Sequence, residues 1–399
     1  MGQHQFTRRQ FALGSVALTT LASTPAWARG AGDVVRIGMT SAMEGPARAL
    51  GQGMRDGLLA HFDVVNRAGG VHGRRLELVV LDDGYEPKRA AANMRKLIDE
   101  HDVFAVLGNA GTPTAAVTVP IAVEKKVPLF GAFTGAGLLR KQPPDRYIIN
   151  YRASYAQETS AMVNGVVGEL GIRPEQIGFF TQNDAYGSSG YNGGIAALHK
   201  LGFSDAKKLP HGRYARNTLF VEDGLSRLMD PRHDVRAVIM VGAYAPCAQM
   251  IRLARQHRFQ ALCMNVSFVG SKALANALAP NTQGVVVTQV VPHPTQPLPA
   301  SEVFRREVAP KQQSFISFEG HLVARAFVNG LEQAGPGADR ETWIDAMERG
   351  DDFKLGLGDG AVRPLSSSQH QISHQVWPTV LHNGAFRALD GWSALRRNG

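Results

Sequence analysis

The chain is poor in the features that usually declare a chemistry. Two cysteines, Cys247 and Cys263, occur in 399 residues. That excludes a disulfide-stapled scaffold and a Cys-rich metal site. The helix expected between them, Pro246 to His257, would be roughly 18 Å long. Such a separation is beyond bridging distance, so two buried free thiols are expected. Past the N-terminus no stretch of about 20 consecutive apolar residues occurs, and no membrane-spanning helix is expected in the mature chain. Basic residues cluster only in short groups such as Arg74-Arg75 and Arg396-Arg397, although the net charge is +9. This pattern fits a solvated basic surface and no nucleic-acid partner.

Catalytic signatures are missing as well. There is no Gly-x-Ser-x-Gly elbow, no Walker A loop, no His-Glu-x-x-His and no Gly-x-Gly-x-x-Gly after a strand. Gly187-Ser188-Ser189-Gly190 has the wrong spacing for the first of these. His370 and His374 are four apart, as two metal ligands can be, yet they read better as polar loop residues. Asp82-Asp83, at the end of an expected strand, reads as a pair of capping or loop carboxylates and not as an acid/base pair. An enzyme is therefore not expected, and neither is a cofactor.

What is present begins with export. Arg8-Arg9 precede an apolar stretch from Phe11 to about Leu21, and Ala26-Trp27-Ala28 offers a small-x-small cleavage site. That is the layout of a signal peptide of twin-arginine-like type over residues 1–28. Its removal takes away Arg8 and Arg9 and no acid, lowering the net charge from +9 to +7. The remainder, 44% hydrophobic and 19% charged over the whole chain, has a globular balance and is long enough for two domains.

Short β-branched runs alternate with helical periodicity. Strands are expected at 34–39, 76–81, 103–107, 127–130, 177–181, 237–241 and 285–290. Helices are expected at 51–68, 88–101, 115–125, 155–170, 187–201, 246–257, 318–334 and 340–349. The alternation predicts parallel sheets covered by helices on both faces. Asn383-Gly384 between two extended runs predicts a terminal hairpin. The fold class is α/β: two doubly wound, Rossmann-like lobes joined by crossovers near Arg152, where no linker composition intervenes. Lobe 1 is expected to comprise 33–152 plus about 290–350, and lobe 2 to comprise 153–289 plus about 351–395.

In such sheets ligands sit beyond the carboxyl ends of strands. Gly108 to Thr114 and Gly131 to Gly137 are Gly- and Thr-rich loops at those places. Thr112 and Thr134 could hold a carboxylate, or merely cap helices. Tyr186 and Tyr244 follow strands in the second half and could cover a ligand, or simply finish the core edge.

Several stretches carry a family resemblance. They are Gly69-Gly70-Val71-His72-Gly73-Arg74, Leu81-Asp82-Asp83-Gly84-Tyr85-Glu86-Pro87, Pro128 to Gly135, and Asp184-Ala185-Tyr186-Gly187. In order and spacing they resemble the branched-chain amino-acid (Leu/Ile/Val) binding proteins, the type I periplasmic binding proteins of ABC transporters. The resemblance spans 33 to about 390. It implies a monomer that closes two lobes around a small molecule and docks on a membrane permease; a periplasmic small-molecule or amide sensor with the same fold is the alternative. It also implies that Thr112, Ala132 and Thr134 hold a ligand carboxylate and that Tyr186 and Tyr244 cover it. Ser267 falls where amino-acid binders carry an ammonium-binding Glu, and Leu50 falls near a position often held by a ring. Unless Asp184 or Glu44 supplies the missing carboxylate, a carboxylic acid without an α-amino group is the expected ligand, aromatic acids included.

Overall fold

The computed structural model describes residues 1–2, 34–280, 284–350 and 353–397. The signal-peptide segment lies outside the described residues. From Val34 onward the chain forms one compact unit.

The first sheet is built from β1 (Val34–Ser41), β2 (Arg75–Asp82), β3 (Ala105–Leu107), β4 (Leu129–Phe130) and β5 (Ile148–Ile149). Its order is β2-β1-β3-β4-β5, all parallel. Between these strands run α1 (Arg48–Arg67), α2 (Pro87–Asp99) and α3 (Thr112–Glu124). After β5 the chain enters α4 (Tyr155–Asn164), then β6 (Ile177–Gln182), α5 (Ala185–Lys200), β7 (His211–Tyr214), α6 (Glu222–Leu228) and β8 (Ala237–Val241). α7 (Tyr244–Gln256), β9 (Leu262–Asn265), α8 (Ser271–Leu278) and β10 (Val285–Gln289) follow. Next come α9 (Pro299–Glu307), α10 (Phe315–Ala334) and α11 (Arg340–Arg349), and finally β11 (Trp377–His382) and β12 (Ala385–Ala388).

The second sheet has the order β12-β11-β10-β9-β8-β6-β7. Its parallel part, β7-β6-β8-β9-β10, repeats the order of the first sheet. Each sheet thus has one switch point, between β1 and β3 and between β6 and β8, where loops diverge and leave a crevice. α10 lies against α1, where Gly57 meets the backbone of Ser317 and His321. The terminal hairpin adds an antiparallel edge, with Asn383 and Gly384 at φ +49° and +78°. Positive φ at both positions is what a type I′ turn requires, as Asn-Gly leads one to expect.

Some element bounds depart from expectation. α3 starts at Thr112, earlier than Ala115, because Pro113 is tolerated in a first turn where no intrahelical N–H is needed. The helix expected to reach Leu170 is α-helical only to Asn164 and continues as a π-turn over Gly165–Glu169, where Gly165 lies flat against the Trp392 indole. The elements β7, α6, α8 and α9 are too short for their periodicity to announce them.

Candidate ligand-binding cleft

The carboxyl ends of both sheets meet at one seam. β3 ends in a loop whose Gly111 holds φ +103°, with the Tyr85 ring packed where a Cβ would stand. Only glycine fits there. The loops after β3 and β4 pair through Gly111 N to Phe133 O (3.1 Å) and Phe133 N to Asn109 O (2.9 Å). This pairing brings the Thr112 and Thr134 hydroxyls to 2.7 Å from each other. Neither threonine is a helix cap: Gly111 occupies the N-cap of α3, and the Thr134 hydroxyl accepts from Ala136 N at 3.3 Å. Ala132 is buried beside them and accepts from Thr134 N at 2.7 Å.

Loops and helix starts of the second sheet supply a cluster of rings. Tyr186 is buried in the first turn of α5, with its ring centroid 4.7 Å from Phe268 and 5.2 Å from Tyr155. Phe268 stacks across the seam on Phe133 at 5.2 Å and tilts against Tyr85 at 6.0 Å. Burial pushes the Tyr186 phenol well above its ordinary pKa, so it remains a neutral donor, to Gly242 O at 3.3 Å. Tyr244 does not join these rings. It is half-buried on one flank, against the Ala49 backbone and close to Arg48, and with Leu50 it surrounds Gly270.

Ser267 is not without a carboxylate. Glu158, on α4, accepts from Ser267 N (2.7 Å), Ser267 Oγ (3.0 Å) and Thr288 Oγ1 (2.7 Å). Arg152, in the crossover from β5 to α4, donates through Nη2 to the Ser267 hydroxyl. Its Nη2 lies 3.6 Å from Glu158 Oε1, and its Nε lies 3.6 Å from Glu319 Oε1 on α10. The guanidinium carbon sits 4.8 Å from the centre of the Phe133 ring and 5.9 Å from that of Tyr155. Burial opposes the charge on Arg152, but Glu319 and Glu158 outweigh it and raise the pKa. Burial pushes Glu319 up to about 7, against the pull of Arg152.

Arg152, Glu158, Glu319, Phe133, Tyr155 and Phe268 were not singled out from the sequence. One signal was available: Glu319 falls among Phe318, Leu322 and Val323 on the buried face of a long amphipathic helix, where a carboxylate demands a partner. The two residues offered for the ammonium end are Glu44 and Asp184. Glu44 is exposed. Asp184 caps α5 through Tyr186 N (2.9 Å) and also accepts from Gln182 (2.6 Å).

The remaining polar candidates resolve into ordinary roles. Asp82 accepts from the amides of Met43 and Gly84 and pairs with Arg89, while Asp83 accepts from Thr40 and Tyr85 N. His370 pairs with Glu348 at 3.0 Å and His374 with Gln157 at 2.7 Å, so the two histidines serve different partners. Cys247 and Cys263 are free and buried. His61, Glu307 and His321 gather donor atoms within 4.8 Å, close enough for a metal ion, yet Glu307 Oε2 is 2.9 Å from both imidazoles and is satisfied without one. Among the described residues no helix is long and apolar enough to cross a membrane.

Comparison with known proteins agrees with this arrangement. A curated relative, the leucine-, isoleucine-, valine-, threonine- and alanine-binding protein of Pseudomonas aeruginosa, is 22% identical over 82% of this chain and 85% of its own. A solved structure of a possible leucine/isoleucine/valine-binding protein from Rhodopirellula baltica is 44% identical, covers 91% of this chain and 98% of its own, and superposes with a TM-score of 0.86. A fatty acid ABC transporter substrate-binding protein from Thermomonospora curvata shares the fold at 20% identity and a TM-score of 0.77, over 92% of this chain and 94% of its own. Proteins of this kind bind solutes and are not enzymes. The family model described as periplasmic binding protein matches residues 34–385, and the chain belongs to that family, in its type I, branched-chain amino-acid binding branch.

Proposed function

We propose that this protein captures a small carboxylate-bearing solute as a monomer in the periplasm and delivers it to the permease of an ABC importer. Capture is by closure of two lobes, 33–152 with about 290–350 and 153–289 with about 351–395. Export through the twin-arginine-like N-terminus, with cleavage after Ala28, belongs to the same reading. The observation that carries it is the buried pair of threonine hydroxyls, 2.7 Å apart at adjacent strand ends, with Phe133 of the Thr134 loop stacked on Phe268 and Phe268 packed on Tyr186. Hydroxyls freed from capping can turn toward an anion, and rings exclude the water that would compete for it. Relatives named for amino acids and for a fatty acid have the carboxylate in common.

Closure gains free energy only from contacts the ligand makes better in the closed form. The Phe133–Phe268 stack, which joins a loop of the first sheet to one of the second, would couple that closure to what lies beneath it. Thr112→Ala and Thr134→Ala are each expected to weaken binding by about 1–3 kcal/mol, the scale of a lost hydrogen bond to a charged group, with the fold retained. Titration calorimetry against a panel of carboxylates checks this, and unchanged affinity in both variants would remove the threonines from the site.

A further inference from the structure

Arg152 has donors to spare. Its side chain is fully buried, yet among the described residues Nη1 and Nε make no hydrogen bond. Glu319 Oε1, facing Nε at 3.6 Å, likewise has no hydrogen-bond partner. A buried guanidinium is tolerated when its N–H groups are matched, and those on two of its nitrogens are not. The backbone around it is fixed. Arg140 donates to Arg152 O and to Ala136 O at 2.9 Å each, and Ser373 N donates to Tyr151 O at 2.7 Å. The side chain therefore stays at the seam, over Phe133 and one residue from Thr134.

We propose that Arg152 is the specificity-determining cation of the cleft. It takes one oxygen of the ligand carboxylate while the Thr112–Thr134 pair takes the other, and the ligand is a carboxylic acid with an apolar or aromatic remainder and no α-ammonium group. This inference rests on the carboxylate reading above and adds to it both the anchor and the exclusion of amino acids. The exclusion follows from where the buried carboxylates point. Glu158 has both oxygens filled by Ser267 and Thr288 and faces Arg152. Glu319 faces Arg152 as well, and Asp83 is held by Thr40 and the Tyr85 amide. A ligand ammonium seeking a buried carboxylate would have to lie beside a guanidinium, at the cost of like charges in a dry site. The chain's own cation already fills that role. Glu319, which burial keeps partly protonated near neutrality, adds a donor to the oxygen-accepting character of the site.

The test uses titration calorimetry of the full mature protein with 4-methyl-2-oxopentanoate, phenylacetate, leucine, phenylalanine and phenylacetamide. The deaminated acids are expected to bind at least a hundredfold tighter than the amino acids. Arg152→Lys, which keeps the charge and loses the planar fork, is expected to weaken acid binding about tenfold or more. Arg152→Gln with Glu158→Gln, a double variant that removes one charge of each sign and so protects folding, is expected to abolish it. Circular dichroism and a thermal melt establish that each variant is folded. The inference is overturned if leucine or phenylalanine binds as tightly as the deaminated acids, if none of those acids binds, or if the folded variants bind acid like the wild type. Phenylacetamide binding equal to phenylacetate would overturn the carboxylate reading itself. Leucine binding that is lost in Thr112→Ala would instead leave that reading standing and sink only the role of Arg152.

Discussion

Two buried polar clusters share helix α10, and they differ in what they leave unpaired. His321 turns toward α1 and α9, where Glu307 lies 2.9 Å from both its own imidazole and that of His61. Two positions earlier Glu319 turns toward the cleft, where Arg152 and Glu158 arrive from the other side of the seam. The first cluster belongs to helices α1, α9 and α10 and spends its carboxylate internally, leaving His321 Nδ1 without a hydrogen-bond partner among the described residues. The second is drawn from the β5–α4 crossover, α4 and α10, and keeps two guanidinium nitrogens and a carboxylate oxygen unspent. A cluster whose carboxylate is filled by its own neighbours ties helices together, whereas one that leaves both charges short of partners at a seam is matched by what the seam closes upon.

The sharpest way to break that contrast is to remove the cation. Arg152→Met is expected to cost about 3–5 kcal/mol of stability, because it leaves Glu158 buried without its countercharge. Adding Glu158→Gln should recover part of the loss, a coupling that urea denaturation of the single and double variants measures. Glu307→Gln, which still offers an acceptor to the two histidines, is expected to cost less, about 1–3 kcal/mol. The reverse order would mean that the helix cluster, not the seam, carries the greater electrostatic burden.

A pH series separates the clusters by sign. In the folded protein Glu319 holds its proton up to about 7, whereas the unfolded chain releases it near the ordinary 4.5. Over that window the native state binds more protons, so this group lowers stability as pH rises. Burial sets the shift; Arg152 and Arg140 oppose it and Glu158 reinforces it. The helix cluster runs the other way. Burial lowers His321 from 6.5 to about 4, and Glu307, despite its own burial, is held far below the carboxylate range by hydrogen bonds from His321 and His61. There the unfolded state takes up protons first, and stability is lost as pH falls from 6.5 toward 4. Melting temperatures between pH 4 and 8 should therefore rise on the alkaline side in Glu319→Gln and lose less on the acid side in His321→Gln. Parallel shifts in the two variants would contradict the assigned directions.

Much of this was legible in the sequence, and what was not has physical reasons. The alternation of runs such as Val34–Met39 and Gly51–Ala68 predicts the sheets, because burial on both faces leaves strands apolar throughout. Asn383-Gly384 predicts its hairpin because two positive φ values admit few other residues. Thr112 and Thr134 could be placed because Gly-rich loops at strand ends localise them. Arg152 could not be read as a site residue. It follows a two-residue strand and precedes a helix capped by Ser154 and Gln157, and its partners lie 115 and 167 residues away at Ser267 and Glu319. Phe268 escaped for the same reason: its neighbours Phe133 and Tyr186 are brought to it only when two separate sheets align their carboxyl ends.

The smallest expected effect concerns the ring cluster. Tyr186 donates to Gly242 O at 3.3 Å, a long hydrogen bond, while its ring packs 4.7 Å from Phe268. Tyr186→Phe keeps the ring and its burial and deletes only the hydroxyl, leaving one carbonyl in need of a partner. A neutral hydrogen bond contributes about 0.5–1.5 kcal/mol to stability, and at this length the lower end applies. If lobe 2 covers the ligand with apolar surface while Thr112, Thr134 and Arg152 do the polar recognition, the affinity of the variant for phenylacetate should stay within about threefold of wild type, well under the tenfold that 1.4 kcal/mol represents. Calorimetry on the same panel decides it. A loss of tenfold or more would place the Tyr186 hydroxyl on the ligand, and the division between a polar floor and an apolar roof would have to be redrawn with a donor on each side.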